Sequence, residues 1–292
     1  MTQAVPLTAV PPAGAAGFWR RALRHRSFVI GGLLTLMVLA AAAASYLWTP
    51  HDPYGMDLAA RMQPPGGRHW LGTDAYGRDV ASLLLVGARA SIAVGVVAVG
   101  IGLVIGAAFG LLAAARRGWT EEVIMRLADF GFAFPAILSA ILLTAAFGPG
   151  MVIAMVAIGI YNIPAFARIT RASANAVWSR EFVLAARACG KGAFSITVEH
   201  VLPNILSVLV VQATIRFAIA ILAEAALSYL GLGTQPPQPS WGRMLSEAQT
   251  LMFQAPLLAV FPGVAIAIAV LGLNLLGDGL RDVLDPRLAR TR

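Results

Sequence analysis

Long uncharged apolar runs alternate along the chain with short polar stretches that carry arginines. The first run, Phe28 to Trp48, follows Arg20, Arg21, Arg24 and Arg26 and is long enough to cross about 30 Å of hydrocarbon. Five more runs follow, at Ala90 to Ala115, Phe130 to Gly148, Met151 to Ala167, Ile205 to Ala223 and Ala255 to Leu276. Six crossings put both chain ends on one side. The alanines from Ala40 to Ala44 also resemble the cleavage site of a signal peptide. The apolar run outlasts a typical signal core, so it reads as a retained first helix with Tyr46 and Trp48 at the interface.

One polar interval is too long to be a plain connector. Glu181 to Asn204, EFVLAARACGKGAFSITVEHVLPN, separates the fourth and fifth runs. Phe182, Val183, Ala186 and Cys189 recur at helical spacing, Gly190 and Gly192 can end that turn in a left-handed cap, and Pro203 interrupts a helix interior. The pattern predicts two short helices with a glycine bend between them, shaped for docking. A solvated surface loop is the alternative.

Composition agrees with a membrane protein. The 292 residues are 58% hydrophobic and 12% charged, about half the charged fraction of soluble domains, and the mean hydropathy is +0.75. The formal charge of +8 sits at span ends, not on one face with groove-reading elements, which argues against nucleic acid. Counting basic residues sets the topology. With the N-terminus inside, the inner segments carry Arg20, Arg21, Arg24 and Arg26; Arg116, Arg117 and Arg126; Arg168, Arg171, Arg180, Arg187 and Lys191; and Arg281, Arg287, Arg290 and Arg292. The outer segments carry only Arg61, Arg68, Arg78, Arg89 and Arg243. The positive-inside rule therefore places both termini and the 181–204 segment in the cytoplasm. The single Cys189 excludes an intrachain disulfide framework, and it reads as a buried or unreactive thiol.

The expected organisation is an all-α polytopic membrane protein. It has a disordered tail at 1–19, a first transmembrane helix at 20–48, an outer loop at 49–89, a core at 90–276 containing the 181–204 segment, and a cytoplasmic tail at 277–292. Within the second span, Gly102, Gly106 and Gly110 recur every fourth residue and predict a flat ridge for close helix packing. A dinucleotide-binding glycine loop would need a preceding strand in a soluble βαβ unit. Arg216 lies inside the fifth span, where a charge costs at least about 2.5 kcal/mol, so it faces protein or water. With Asn162 and Gln212 it is a candidate for the translocation pathway; a structural ion pair is the alternative, and Asn274 is a softer candidate. Glu224 reads as an outer-interface marker. Thr73 or Asp74 is the expected cap of a helix entering the second span, and Gly231 to Gly242 is an ordered turn on the outer side.

Several chemistries are absent. No GxxxxGK[ST] occurs, so the chain has no phosphate-cradling loop, and neither HExxH nor GxSxG is present. The histidines at 25, 51, 69 and 200 lie on three segments and both sides of the membrane, which predicts no metal site. The chain is expected to be non-catalytic.

Four stretches carry a family resemblance. Ala185-Ala186, Gly190 and Leu202-Pro203 resemble the Glu-Ala-Ala, Gly, Leu-Pro pattern of the cytoplasmic coupling loop in permeases of binding-protein-dependent ABC importers. Leu184 stands where that pattern has glutamate, and His200 where it has a hydrophobic residue. LGTDAYGRDVASLLLVGARAS, LSYLGLGTQPPQPSWG and GDGLRDVLDPR resemble the second, "C" type permease of the dipeptide, oligopeptide and nickel group. Leu83 and Val86 depart from an arginine and an aromatic expected in the first of these.

The resemblance implies a type I importer permease fold in the cytoplasmic or inner membrane. It also implies a homologous permease as heterodimer partner, two ATPase subunits that bind ATP and Mg, and an extracytoplasmic solute-binding protein. No cofactor is implied for this chain itself. Peptides are the first expected cargo, with nickel, a metal chelate, opines or glutathione-like molecules as alternatives. The implied ATPase-coupling residues are Glu181, Leu184, Ala185, Ala186, Arg187, Gly190, Lys191, His200, Leu202 and Pro203. The outer-loop motif residues are Gly72, Thr73, Asp74, Gly77, Arg78, Asp79, Pro236, Pro237, Trp241 and Gly242. An autonomous channel or secondary transporter, and an embedded enzyme, are the competing classes.

Overall fold

A computed structural model describes residues 15–284, all helix and loop among those residues. The elements are α1 (Ala15–Ala22), α2 (Arg26–Leu47), α3 (Val80–Arg116), α4 (Gly118–Ala133), α5 (Ala136–Phe147) and α6 (Met151–Trp178), followed by α7 (Glu181–Ala188), α8 (Ala193–Ile196), α9 (Leu202–Tyr229), α10 (Trp241–Ala248) and α11 (Leu257–Leu284). Five helices are long and apolar enough to cross a membrane, and the bent pair α4 and α5 makes six if it counts as one span. The stretches 1–14 and 285–292 lie outside the described residues. They include most of the predicted N-terminal tail and part of the GDGLRDVLDPR motif.

Four boundaries differ from the sequence expectation for local reasons. α1 begins inside the predicted tail, because Ala22 docks fully buried at a helix end that aperiodic residues do not announce. α3 starts at Val80, so the last part of the predicted outer loop is helical; its cap is Asp79, whose carboxylate accepts from the Ser82 amide at 2.8 Å. Thr73 and Asp74 serve the loop before it instead. The predicted third span bends by 83° between α4 and α5, since Pro135 pushes Phe134 into extended backbone, φ −97° and ψ 131°. Alone, α5 covers about 18 Å. Finally, Pro203 does not end a helix: Ala193 to Tyr229 runs as one 37-residue helix. The π-helical turn Thr197–Val201 widens the backbone ahead of the proline, whose ring would clash in a regular α-turn.

Small residues set the packing. α3 and α6 run side by side in the same direction, with Gly102 against Asn162, Gly106 against Ile163 and Phe166, and Gly110 against Ala167 and Thr170. A Cβ at any of the three would overlap α6, so the every-fourth glycine is a close-packing ridge. α2 and α11 pack antiparallel: Gly31 lies on the backbone of Leu275 and Leu276, Gly272 on Leu34, and Gly279 on Phe28. His25 Nε2 lies 3.1 Å from Asp282 Oδ2, so the start of the first span and the end of the last occupy the same end of the bundle. The outward faces of α2, including Leu33, Leu36 and Leu47, are exposed as lipid-facing surface requires.

Candidate coupling segment and outer cap

The 181–204 segment is built from its backbone cap outward. α7 opens with Glu181, whose charge suits a helix N-terminus, and closes with Arg187. At its end the Gly190 amide donates to the Arg187 carbonyl at 2.9 Å and the Lys191 amide to the Ala186 carbonyl at 3.1 Å, the paired bonds of a Schellman turn. That turn needs a left-handed residue, and Gly190 supplies it at φ +83°. Gly192 then caps α8, its carbonyl accepting from the Ile196 amide at 3.1 Å.

Only one stripe of this element is buried. Val183, Ile196 and Val201 are fully enclosed in the core cluster that holds Trp178 and Ile205. Around them, Lys191 pairs with Glu199, and the Ser195 hydroxyl donates to the other oxygen of that carboxylate at 2.6 Å. Phe182 meets the His200 ring edge-on at 6.2 Å. The remaining face is apolar and open, with Leu184 51% and Phe194 83% exposed. Glu181, Ala185, Arg187, Gly190, Lys191 and Cys189 are exposed beside them, while Ala186, Leu202 and His200 are half-buried and Pro203 is exposed. Cys189 is thus an exposed thiol, not a buried one. Behind the segment, a cavity of about 460 Å³ is lined by Arg116, Arg117, Trp178, Arg187 and Lys191. The structure brings the predicted coupling residues together on one surface.

The outer-loop residues form a second constellation, and its work is structural. The Thr73 hydroxyl donates to the Ala60 carbonyl while accepting from the Gln63 amide at 2.9 Å. Asp74 accepts from the Arg78 amide at 2.9 Å and the Arg78 Nε at 2.6 Å. Arg78 reaches on to Glu247 of α10 at 2.6 Å, and Arg243 donates to the same carboxylate at 3.0 Å. Burial alone would lower the Arg78 pKa, but the charges of Asp74 and Glu247 outweigh it and raise it. Gly77 sits at φ +76° against Asp57, and Gly242 lies on the Ala225 backbone. Trp241 Nε1 donates to the Leu84 carbonyl at 3.0 Å. Gly72, Thr73, Asp74, Gly77, Arg78, Asp79 and Trp241 therefore lock two loop segments onto the start of α3, and Gly242 seats the second of them on α9. Pro236 and Pro237 stand apart, facing the start of α6 across a shallow cleft. Leu83 and Val86, the departures from the family pattern, are buried within this chain.

The pathway candidates do not converge. Asn162 is buried against Gly102 and serves helix packing. Gln212 and Arg216 are half-buried on α9, and the Arg216 Nε is buried without a hydrogen-bond partner. Glu224, expected at an interface, is completely buried. Its carboxylate accepts from Ser228 at 2.7 Å, Thr234 at 3.3 Å and Ser91 at 3.5 Å, while the Thr234 amide donates to the Ser228 hydroxyl at 2.9 Å. A carboxylate at a span end reads from sequence as an interface group. Only the hydroxyls that fold back over it allow it inside.

Comparison with known proteins settles the family. Residues 82–290 match the model of the binding-protein-dependent transport system inner membrane component. Residues 16–65 match the N-terminal TM domain of oligopeptide transport permease C. The chain belongs to this permease family. It is therefore a multi-pass inner-membrane protein of an importer family that works with ATPase and binding-protein partners. The chain is 44% identical over 272 residues to the glutathione transport system permease protein GsiD of Pectobacterium atrosepticum, covering 93% of this chain and 90% of that one. It is 46% identical over 273 residues to GsiD of Salmonella typhimurium, with the same coverage. A chain of the inward-facing MetNI methionine ABC transporter superposes with a TM-score of 0.59 at 21% identity, over 70% of this permease and 97% of that chain. That likeness establishes the type I importer permease fold.

Proposed function

We propose that this permease is the non-catalytic translocation subunit of an ATP-driven importer for small peptides of the glutathione class. The observation that carries the reading is the exposed, Schellman-capped segment at Glu181 to Lys191, which has an apolar docking face and no nucleotide-binding loop of its own. Such a face needs a groove in another protein. The cargo follows from the GsiD relatives at 44% and 46% identity.

The mechanism follows from continuity of the backbone. α8, the π-turn and α9 form one helix about 55 Å long, and Lys191 at the end of the docked segment is tied to Glu199 of that helix, so displacement of the segment moves Gln212 and Arg216 within the membrane and Glu224 at the far end. Two ATPase subunits closing on ATP and Mg would push this lever, and a homologous permease would supply the other wall of the pathway. The half-buried Gln212 and Arg216, the latter with its Nε lacking a hydrogen-bond partner among the described residues, suit that shared wall. The basic residues near the 181–204 segment favour the cytoplasm for this end, and the α2–α11 pairing at one end of the bundle is consistent with both termini there.

Reconstitution with the cognate permease, ATPases and binding protein in liposomes tests the reading. ATP-dependent accumulation of labelled glutathione, abolished by omitting ATP, is the expected result. Uptake by this chain alone without ATP would overturn it in favour of an autonomous channel. ATP-dependent uptake of nickel but not of any small peptide would overturn the cargo.

A further inference from the structure

A cluster in the outer segment lies apart from the coupling machinery. His51, His69 and Asp79 are 28 residues apart at most in sequence and meet at the start of α3, where one ligand atom from each lies within 4.8 Å of the others. His69 Nδ1 is 2.9 Å and His51 Nδ1 3.5 Å from the same oxygen, Asp79 Oδ1. The two rings lie 4.4 Å apart at 35°. We propose that these three side chains form a binding site for a divalent transition-metal ion of zinc chemistry, which clamps the 49–79 segment to α3.

The donor set suits such an ion. Two imidazoles and a carboxylate are borderline ligands of the kind zinc prefers, and three protein ligands leave a fourth position for water. Bonds of about 2.0–2.2 Å put neighbouring ligand atoms of a tetrahedron roughly 3.3–3.6 Å apart; the His51–Asp79 separation of 3.5 Å matches, and the His69–Asp79 separation of 2.9 Å has to open by about 0.4 Å to admit the ion. The His51 side chain is 36% exposed, which gives an entry path. A protein-only reading leaves one group unserved. If His69 donates to Asp79 Oδ1, His51 Nδ1 faces that oxygen without a hydrogen bond, and it has no partner elsewhere among the described residues. A cation accepting both ring lone pairs and the carboxylate oxygen serves all three.

The surroundings already hold the ligands in place. Asp79 divides its oxygens, Oδ2 accepting from the Ser82 amide and hydroxyl at 2.8 Å each, Oδ1 turned to the rings. The His51 amide donates to the same Ser82 hydroxyl at 3.0 Å. Second-shell bonds of this kind orient ligands. The clamp has a purpose that no disulfide can meet, because the only cysteine, Cys189, lies in the coupling segment. Among the described residues 49–79, regular structure is limited to the short turn Leu58–Ala60, so a tie to α3 fixes a segment with little of its own.

The test uses the assembled transporter, purified through a tag without histidine, stripped with a chelator and titrated with Co²⁺ and then Zn²⁺. The expected result is one Co²⁺ per permease with tetrahedral absorption bands, displaced by Zn²⁺, and slower proteolysis of the 49–79 segment when loaded. His51→Asn should lose at least about a hundredfold in affinity, more than a supporting residue costs. Because the Asp79 cap rests on Oδ2 and the Ser82 amide, and the His51 Nδ1 makes no hydrogen bond among the described residues, this variant spares the cap. His69→Asn is the second variant. His25→Asn, remote from the cluster, should bind as the parent does. No binding by the parent, or unchanged affinity in His51→Asn, overturns the proposal. If His51→Asn fails to assemble, equal proteolysis of loaded and stripped parent overturns it alone.

Discussion

The two ends of this permease are built on opposite principles. The cap at the start of α3 buries or half-buries its polar groups and pairs them: Asp79 with Ser82 and His69, Arg78 with Asp74 and Glu247, Glu224 with hydroxyls that include those of Ser228, Thr234 and Ser91. The coupling segment buries little beyond Val183, Ile196 and Val201 and leaves leucine and phenylalanine exposed. Its shape comes from a backbone cap. The difference separates a region whose polar groups are satisfied within one chain from one that leaves apolar surface open, which is costly in water unless a partner covers it. The Asp79 carboxyl records the first principle. Burial alone would raise its pKa, but hydrogen bonds from His69 and Ser82 and the charge of His51 hold it below the usual carboxylate range.

Substitutions rank along this contrast. Gly77→Val should act most strongly, since a β-branched residue at φ +76° is strained and its Cβ would overlap Asp57. A loss of about 3 kcal/mol or more is expected, read as collapse of folded yield in the membrane. Retained yield with a normal melting temperature would break the account of the cap. Glu224→Leu should follow, at about 2–4 kcal/mol, by stranding the hydroxyls of Ser228, Thr234 and Ser91. Glu224→Gln keeps an acceptor and should cost less in the same thermal assay; equal losses would show that the network is not what matters.

Gly190→Glu moves the comparison to the other end. Its Cβ meets nothing within 4 Å, so only backbone strain of about 1 kcal/mol opposes it. ATP-driven uptake should nonetheless collapse in a chain that still melts nearly as the parent does. A large fall in melting temperature would mean that the turn is a packing element instead. Smallest is Leu184→Glu. Leu184 is half exposed and its replacement should shift stability by under about 0.5 kcal/mol, so any change in ATPase docking reports the contact itself.

Much of this contrast was legible in sequence, and the misses have physical causes. Hydrophobic runs located the spans, the every-fourth glycines located the α3–α6 ridge, and Gly190 located the turn. Three nearby Asp and Thr residues offer the same capping chemistry, and Asp79 rather than Thr73 or Asp74 starts α3 because its carboxylate meets the first-turn amide of Ser82. A proline alone does not say whether a helix stops: at Pro203 a π-turn absorbs it, whereas at Pro135 the chain bends. Glu224 and the His51–His69 pair depend on groups brought from distant segments. No local pattern encodes those meetings, although the hydroxyl of Ser228, one helical turn beyond Glu224, was a visible hint.

If the exposed face at 181–204 docks an ATPase, Cys189, the only thiol in the chain, offers a direct probe of it. Maleimide labelling of Cys189 can be timed for the permease pair alone and for the assembly with its ATPases. The expected result is rapid labelling of the permease pair, strong protection in the full complex, and a thiol-directed crosslink from Cys189 to an ATPase subunit. Equal labelling rates in both, with crosslinks to neither ATPase, would contradict it.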